Sequence, residues 1–219
     1  MDSYRGNEVF RQPGREDTVI LLIRHAHTDA LGVRLTGRAP GVALSAIGRA
    51  QLPALQRALG SHTLSAIYSS PLERALATAR AVADAQRLPV RAHEGLTEVD
   101  FGDWTGKTFD ELARLDEWRE FNTRRATAVV PAGESASTVQ TRIVTTLQAL
   151  GCTHRGETIA AVSHADVIRA AVLHYAGVSL DEFSRFEIPP ASVSALALRG
   201  ARGTLLSACD AGGAAGRCG

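Results

Sequence analysis

Three short apolar segments, each followed by a stretch with helical spacing, constrain the fold of this chain more than any other feature. The segments are TVILLIR (18–24), LSAIYSS (64–70) and TIAAVSH (158–164). Apolar runs of this length are typical of strands that are covered on both faces. Their alternation with helices predicts an α/β fold, a three-layer sandwich in which helices flank a mainly parallel central sheet.

The remaining segments fill in the predicted order of elements. A helix is expected over 45–60, with a kink or a break at Pro53. A second helix is expected to use Ser70 as its N-cap, with Glu73 completing a capping box. The other predicted elements are an edge strand at 88–93, one or two short helices within 107–125, helices over 135–150 and 166–177 with Asp166 as N-cap of the latter, and strands near 184–188 and 192–198.

Composition argues against several classes of function. A net charge of +1 lacks the basic excess of a general nucleic-acid or membrane-surface binder. No segment reaches the ~18 apolar residues of a membrane span, and the polar N-terminus lacks the apolar core of a signal peptide. The three scattered cysteines suit a reducing compartment, so we expect a cytoplasmic protein. One domain over 17–208 is expected, between a flexible arm (1–16) and a disordered tail (209–219).

Cationic and imidazole side chains stand at the ends of the three apolar segments. Arg24 and His25 follow the first, Arg74 lies in the first turn of the helix after the second, and His164 ends the third. Because ligands bind at the carboxyl ends of strands in such sheets, we expect these groups to meet at one edge. Two guanidinium groups there would bind a phosphate dianion, and a neutral imidazole would attack phosphorus.

A phosphate ester that is cleaved in such a pocket needs a proton donor for its leaving oxygen, usually a carboxyl group. The segment GLTEVDFGDWTG (95–106) offers Glu98, Asp100 and Asp103. Asp166, just after the third strand, is better explained as a helix N-cap and ranks below them as a donor. These patterns alone leave the donor open.

His27 suggests another chemistry. The pair His25-x-His27 at a strand end could bind a metal ion, as in barrel hydrolases. The chain is short for that barrel, and the neighbouring Arg24 would repel a cation. We therefore predict no metal site and expect His27 at the rim of the pocket.

Four sequence blocks together resemble a known family. They are R-H-x-x-T after an apolar strand, S-S-P-L-x-R-A-x-x-T-A, L-x-E-x-x-F-G-x-W-x-G, and V-S-H before a helix, in this order from about residue 20 to residue 197. The combination resembles the histidine phosphatase superfamily, more narrowly its phosphoglycerate-mutase-like branch. The resemblance implies a phosphoglycerate-mutase-like fold and a phosphoric monoester hydrolase that forms a phosphohistidine and needs neither a metal ion nor another cofactor.

The resemblance also implies a role for each residue at the strand ends. His25 corresponds to the histidine that is phosphorylated, and Glu98 to the proton donor. Arg24 and Arg74 correspond to the arginines that bind phosphate. His164 corresponds to a second histidine that contacts the phosphoryl group.

Other positions either follow or depart from the family pattern. Thr36 and Gly37 lie where mutase relatives contact their substrate. Ala26 and Ala165 replace the glycine that usually follows each histidine, so both positions need a negative φ. Their small side chains still let a substrate approach, and Ala165 is included among the expected substrate contacts. The segment PAGES (131–135) resembles a Gly-Glu-Ser stretch of several phosphatases, with no role that the sequence assigns.

Hydrolysis of a small phosphate ester is the predicted function. The alternative is a phosphoglycerate mutase-type phosphotransferase, but Ala30 and Leu31 stand where mutases commonly have Trp-Asn, and the chain between the third and fourth blocks is short. A phosphoprotein phosphatase is a further subtype. A non-catalytic phospho-ligand binding module is disfavoured because every catalytic position is filled. We expect no nucleic-acid or membrane partner, and the sequence leaves a homodimer open.

Overall fold

The computed structural model describes residues 13–208, and its centre is a mixed sheet. The strands are β1 (Thr18–Arg24), β2 (Ala66–Ser69), β3 (Val90–Ala92), β4 (Thr158–Ser163), β5 (Val193–Arg199) and β6 (Arg202–Ser207). Their order across the sheet is β3-β2-β4-β1-β5-β6. The first four strands in that order are parallel, whereas β5 is antiparallel to β1 and β6 to β5. The predicted α/β fold with a mainly parallel sheet is confirmed.

Helices cover both faces of the sheet. They are α1 (Ala46–Leu59), α2 (Glu73–Gln86), α3 (Phe109–Leu112), α4 (Asp116–Thr123), α5 (Ala136–Thr153) and α6 (Ala165–Tyr175), with short 3₁₀ helices at Glu94–Leu96, Gly102–Trp104 and Leu180–Arg185. One apolar cluster joins α1 and α2 to one face, and a larger cluster joins α5 and α6 to the other.

Strand β1 shows why its sequence is continuously apolar. Successive side chains of a strand point to opposite faces of the sheet. Ile20 and Leu22 therefore pack in the α5–α6 cluster, and Leu21 and Ile23 in the α1–α2 cluster. All four are at most 2% exposed, so none of these central positions would let a polar side chain reach water.

Two predicted helix caps are wrong. Helix α2 begins at Glu73 with Leu72 as its N-cap, so the capping box expected from Ser70 and Glu73 does not form. The N-cap of α6 is His164, and Asp166 lies inside the first turn. Each side chain also has a partner far away in the sequence, His164 for Ser70 and Arg125 for Asp166.

Two other expectations also differ from the structure. Helix α1 is continuous through Pro53. The proline is exposed, and Leu55 and Leu59 on the following turns are buried. The segment near 184–188 is not a strand, and the last strand is β6 instead. This edge strand is only half-buried, so it carries no continuous apolar signal.

The predicted N-terminal arm and C-terminal tail lie outside the described residues, apart from 13–16. Residues 14–17 form a turn in which Asp17 N–H donates to the Gly14 carbonyl at 3.0 Å. Within residues 13–208, no helix is both long and apolar enough to cross a bilayer.

Candidate active site

The register between β1 and β4 brings the two predicted histidines together. Arg24 is paired with Ser163, and His25 N–H donates to the Ser163 carbonyl at 3.0 Å. His25 and His164 are therefore neighbours at the carboxyl edge of the sheet. Their ring centroids are 5.1 Å apart in an edge-to-face arrangement, and both side chains are buried.

The hydrogen bonds of His25 fix which ring nitrogen is reactive. Its Nδ1 lies 2.8 Å from the Ala26 carbonyl oxygen, which only accepts hydrogen bonds. Nδ1 therefore carries the proton, and the lone pair is on Nε2. Ala26 does not have the positive φ that its glycine counterpart would allow, and its N–H donates to Thr78 Oγ1 at 3.0 Å.

Arg74 lies between His25 and the loop after β1. Its Nε donates to His25 Nε2 at 3.3 Å, and its Nη2 donates to the Gly37 carbonyl at 2.8 Å. Gly37 has a φ of +47°, a conformation that glycine adopts without strain. Gly37 thus orients Arg74 through its carbonyl, while Thr36 beside it and Ala165 at the start of α6 are half-buried. Direct contact of these three with substrate stays a prediction.

Two buried donor groups at this edge lack a partner. Within the described residues, Arg24 Nε and His164 Nδ1 have no hydrogen bond, although Arg24 Nη1 donates to the Ile188 carbonyl at 2.6 Å. His164 Nε2 lies 2.8 Å from Ser70 Oγ, so the serine hydroxyl that was expected to cap a helix orients this imidazole instead. With the Ser70 hydroxyl donating to Nε2, His164 Nδ1 carries the proton of the neutral ring and is a donor like Arg24 Nε. Two buried donors without acceptors suit an anionic ligand such as a phosphoryl group.

Glu98 completes the cluster. Its Oε2 lies 3.7 Å from His164 Nδ1, and its side chain is only 13% exposed. Burial raises the pKa of Glu98 to about 7, and the nearby charge of Asp166 adds to this effect. The carboxyl group therefore holds a proton up to neutral pH, which a general acid requires.

Burial has the opposite effect on the histidines. It lowers the pKa of His25 to about 3, and the charges of Arg74 and Arg24 act in the same direction. The pKa of His164 is also lowered, by burial first and by His25 next. Both imidazoles are consequently neutral at pH 7, as a nucleophile must be.

The rival carboxyl groups are less suited to donate a proton. Asp166 is partly buried, and Arg125 and Arg169, each 3.1 Å away, hold its pKa below the usual range. Asp100 accepts from Gly102 N–H at 3.0 Å, and Asp103 is exposed. Among the four candidates, the geometry favours Glu98.

His27 is attached to the start of α1. Its Nδ1 lies 2.8 Å from Ser45 Oγ, and its N–H donates to Gln51 Oε1 at 2.9 Å. Residues 13–208 contain no group of three or more His, Cys, Asp or Glu placed to hold a metal ion. The half-buried imidazole of His27 therefore helps to join the catalytic loop to the helix.

Comparisons with known proteins match this geometry. The sequence model of the histidine phosphatase superfamily (branch 1) matches residues 20–211. The chain belongs to this superfamily. It is 30% identical over 192 residues to phosphoserine phosphatase 1 of Hydrogenobacter thermophilus, covering 85% of this chain and 90% of that protein.

Solved structures of phosphatases also superpose on this superfamily member. Mycobacterial glucosyl-3-phosphoglycerate phosphatase superposes with a TM-score of 0.79 at 26% identity, over 89% of this chain and 99% of the other. A mutant of Entamoeba histolytica phosphoserine phosphatase, in complex with phosphoserine, gives 0.78 at 26% identity, over 87% and 96%. The predicted resemblance, the fold and the assignment to a family of phosphatases are confirmed.

Several contacts of the site were missed by sequence reasoning. The local pattern predicts Ser70 as a helix cap. Its contact with His164 cannot be read from that pattern, because the two residues are 94 positions apart. Arg125 and Arg169 carried no signal, because each resembles an ordinary helix-surface or loop arginine. Arg38, in the loop after β1, was also missed.

Proposed function

We propose that this superfamily member hydrolyses phosphate monoesters of small molecules through a phosphohistidine formed on His25. One observation supports this most strongly. The neutral His25 imidazole directs its Nε2 lone pair towards Arg74, beside the unpartnered donors of Arg24 and His164. A nucleophile, an anion site and a protonated carboxyl group thus share one pocket.

In the first step, His25 Nε2 attacks phosphorus and the bond from phosphorus to the ester oxygen breaks. Arg24, Arg74 and His164 stabilise the charge on the other phosphoryl oxygens during this transfer. The departing oxygen takes the proton of the Glu98 carboxyl group and leaves as an alcohol. Glu98 is then a carboxylate.

In the second step, water attacks the phosphohistidine. The Glu98 carboxylate takes a proton from this water as its oxygen bonds to phosphorus. The bond between phosphorus and Nε2 breaks, and its electron pair returns to His25. Inorganic phosphate leaves, and both side chains regain their starting protonation states.

The names of the relatives suggest the class of substrate. Phosphoserine and glucosyl-3-phosphoglycerate are both phosphate esters of small alcohols that also carry a carboxylate. We propose a substrate of this kind, a small-molecule phosphate ester with an alkyl leaving group. A cytoplasmic location and assembly as a homodimer remain predictions from the sequence.

Phosphate release from p-nitrophenyl phosphate and phosphoserine tests the proposal, with and without excess EDTA. We expect turnover that EDTA does not reduce and that His25→Ala lowers by at least about 10³-fold, because the mutant has no atom to carry the phosphoryl group. A ³²P label trapped by a quench in alkaline detergent, in which the phosphorus–nitrogen bond is stable, should appear on the wild-type protein and not on the mutant. Loss of activity with EDTA, or full activity of His25→Ala, would contradict it.

A further inference from the structure

The segment PAGES (131–135) packs directly against loop 95–103, which carries the proposed acid. Glu134 N–H donates to the Asp100 carbonyl at 2.8 Å. A Cβ atom added at Gly133 would lie 2.4 Å from the same carbonyl oxygen, so only glycine permits this approach. The two main chains are therefore in contact.

The carboxylate of Glu134 binds partners from three parts of the chain. Its Oε2 accepts from Arg38 at 2.7 Å and from the Asp100 N–H at 3.0 Å. Arg142 donates to both oxygens, at 3.1 Å and 3.0 Å. The Glu134 side chain is only 19% exposed, so water screens these interactions weakly. We name Glu134, Arg38 and Arg142 the clamp.

The two arginines of the clamp also bind the main chain on either side of the Glu98 side chain. Arg142 Nη1 donates to the Thr97 carbonyl at 2.8 Å and to the Gly95 carbonyl at 3.0 Å. Arg38 Nε donates to the Glu98 carbonyl at 2.8 Å. With the Asp100 N–H held by Glu134, main-chain groups of residues 97, 98 and 100 are all fixed by the clamp.

We propose that the clamp positions the Glu98 carboxyl group for proton transfer without itself touching the substrate. This inference rests on the proposed function, in which Glu98 protonates the leaving oxygen. A general acid acts only within hydrogen-bond reach of that oxygen, and a displacement of about 1 Å costs up to about 10²-fold in rate. The three clamp residues are therefore positioning residues.

Leaving groups of different basicity test the proposal. Phosphoserine releases an alkoxide that needs a proton, whereas p-nitrophenyl phosphate releases a weakly basic phenolate that does not. The comparison uses kcat/KM, which reports phosphorylation of His25 and not the later attack of water that also involves Glu98. We expect Glu134→Gln to lower kcat/KM for phosphoserine by about 10-fold or more, and kcat/KM for p-nitrophenyl phosphate by less than about 3-fold. Equal losses on both substrates, or no loss on either, would overturn the positioning role.

Three further variants complete the experiment. Glu98→Gln should show the same selectivity more strongly, and Glu98→Gln/Glu134→Gln should be no slower than Glu98→Gln, since the clamp acts only through Glu98. Arg38→Gln, at a partly exposed position, should repeat the selective loss if Glu134→Gln does not fold. The control Glu182→Gln removes an exposed ion pair with Arg185 and should leave both rates unchanged.

The outcomes separate this inference from the function on which it depends. An unselective Glu98→Gln would reject Glu98 as the acid, and with it both proposals. A selective Glu98→Gln combined with an unselective Glu134→Gln and Arg38→Gln would reject only the clamp. A double variant slower than Glu98→Gln on phosphoserine would show that Glu134 acts elsewhere.

Discussion

Burial gives His25 and Glu98 opposite protonation preferences. The same removal from water that keeps the imidazole neutral also keeps the carboxyl group protonated, since both effects disfavour charge. Under the proposed mechanism, a single environment thus supplies both the nucleophile and the acid. Arg24 and Arg74 remain charged there, because guanidinium groups do not lose their proton in proteins.

The pH dependence of kcat/KM for phosphoserine should show this arrangement. The acid limb depends on neutral His25 and is expected near pH 3, far below the range of an ordinary histidine. The basic limb depends on protonated Glu98 and is expected near pH 7. The phosphate of phosphoserine itself ionises at about pH 6, so the profile is also measured with p-nitrophenyl phosphate, whose phosphate is more acidic. An acid limb near pH 6.5 with both substrates would contradict the proposed state of His25.

Asp166→Asn provides the matched variant for the basic limb. The charge of Asp166 helps to raise the pKa of Glu98, so its removal should move the basic limb to lower pH. Arg125 and Arg169, freed from Asp166, would act in the same direction. An unchanged limb would show that Asp166 does not influence Glu98.

At the scale of elements, helix α1 packs against the loop that follows His25. A Cβ atom added at Gly48 would lie 2.1 Å from the His27 carbonyl oxygen, and Ser45 and Gln51 of the same region bond to His27. The glycine thus lets the helix support the catalytic loop by direct contact with its main chain.

Gly48→Ala should therefore destabilise the protein by roughly 1–3 kcal/mol, although alanine favours helices. Gly151→Ala in α5 is the matched control, since its Cβ would contact only Leu198 side-chain atoms at 3.2 Å or more. Chemical unfolding of both variants measures the difference. A Gly48→Ala variant as stable as Gly151→Ala would contradict the close packing.

Strands that are buried along their whole length are predicted well from the sequence, and half-exposed strands are predicted poorly. The strands carrying His25 and His164 were predictable because an apolar run needs no tertiary information. Strand β6 was missed because it lies half-exposed at the sheet edge. Ser70 and Asp166 match local capping patterns, but tertiary partners take their side chains.

The clamp could not be predicted for a different reason. Its members lie at positions 38, 134 and 142, and only the packing of two loops brings them together. By contrast, the rule that parallel strands present their carboxyl ends at one edge places Arg24, His25 and His164 correctly. Sequence reasoning therefore finds the residues that we propose to react better than the residues that position them.

At the scale of the whole molecule, the active site reduces stability at neutral and alkaline pH. The pKa of Glu98 is about 7 in the folded protein against a reference value of 4.5. The contribution of this raised pKa to the free energy of unfolding is therefore fully present below pH 4.5 and is lost as the pH rises to 7. Above pH 7 the folded protein holds a buried carboxylate.

Glu98→Gln should consequently raise Tm at pH 8 by roughly 2–6 °C and leave it nearly unchanged at pH 4.5. Scanning calorimetry at the two pH values measures this difference, with Glu182→Gln as the control for loss of an exposed carboxylate. A Glu98→Gln protein that melts at or below the wild-type temperature at pH 8 would contradict the sign of this effect.

The pairing of β1 with β4 has a consequence for how such enzymes diversify. Neighbouring strands lie about 4.8 Å apart, and the rings of His25 and His164, which continue those strands, are 5.1 Å apart. The main-chain hydrogen bonds of the sheet thus set the spacing of the two rings. No single side-chain substitution changes that strand spacing. The sequences of the loops around the site can therefore change to suit a new substrate while the distance between the two histidines stays the same.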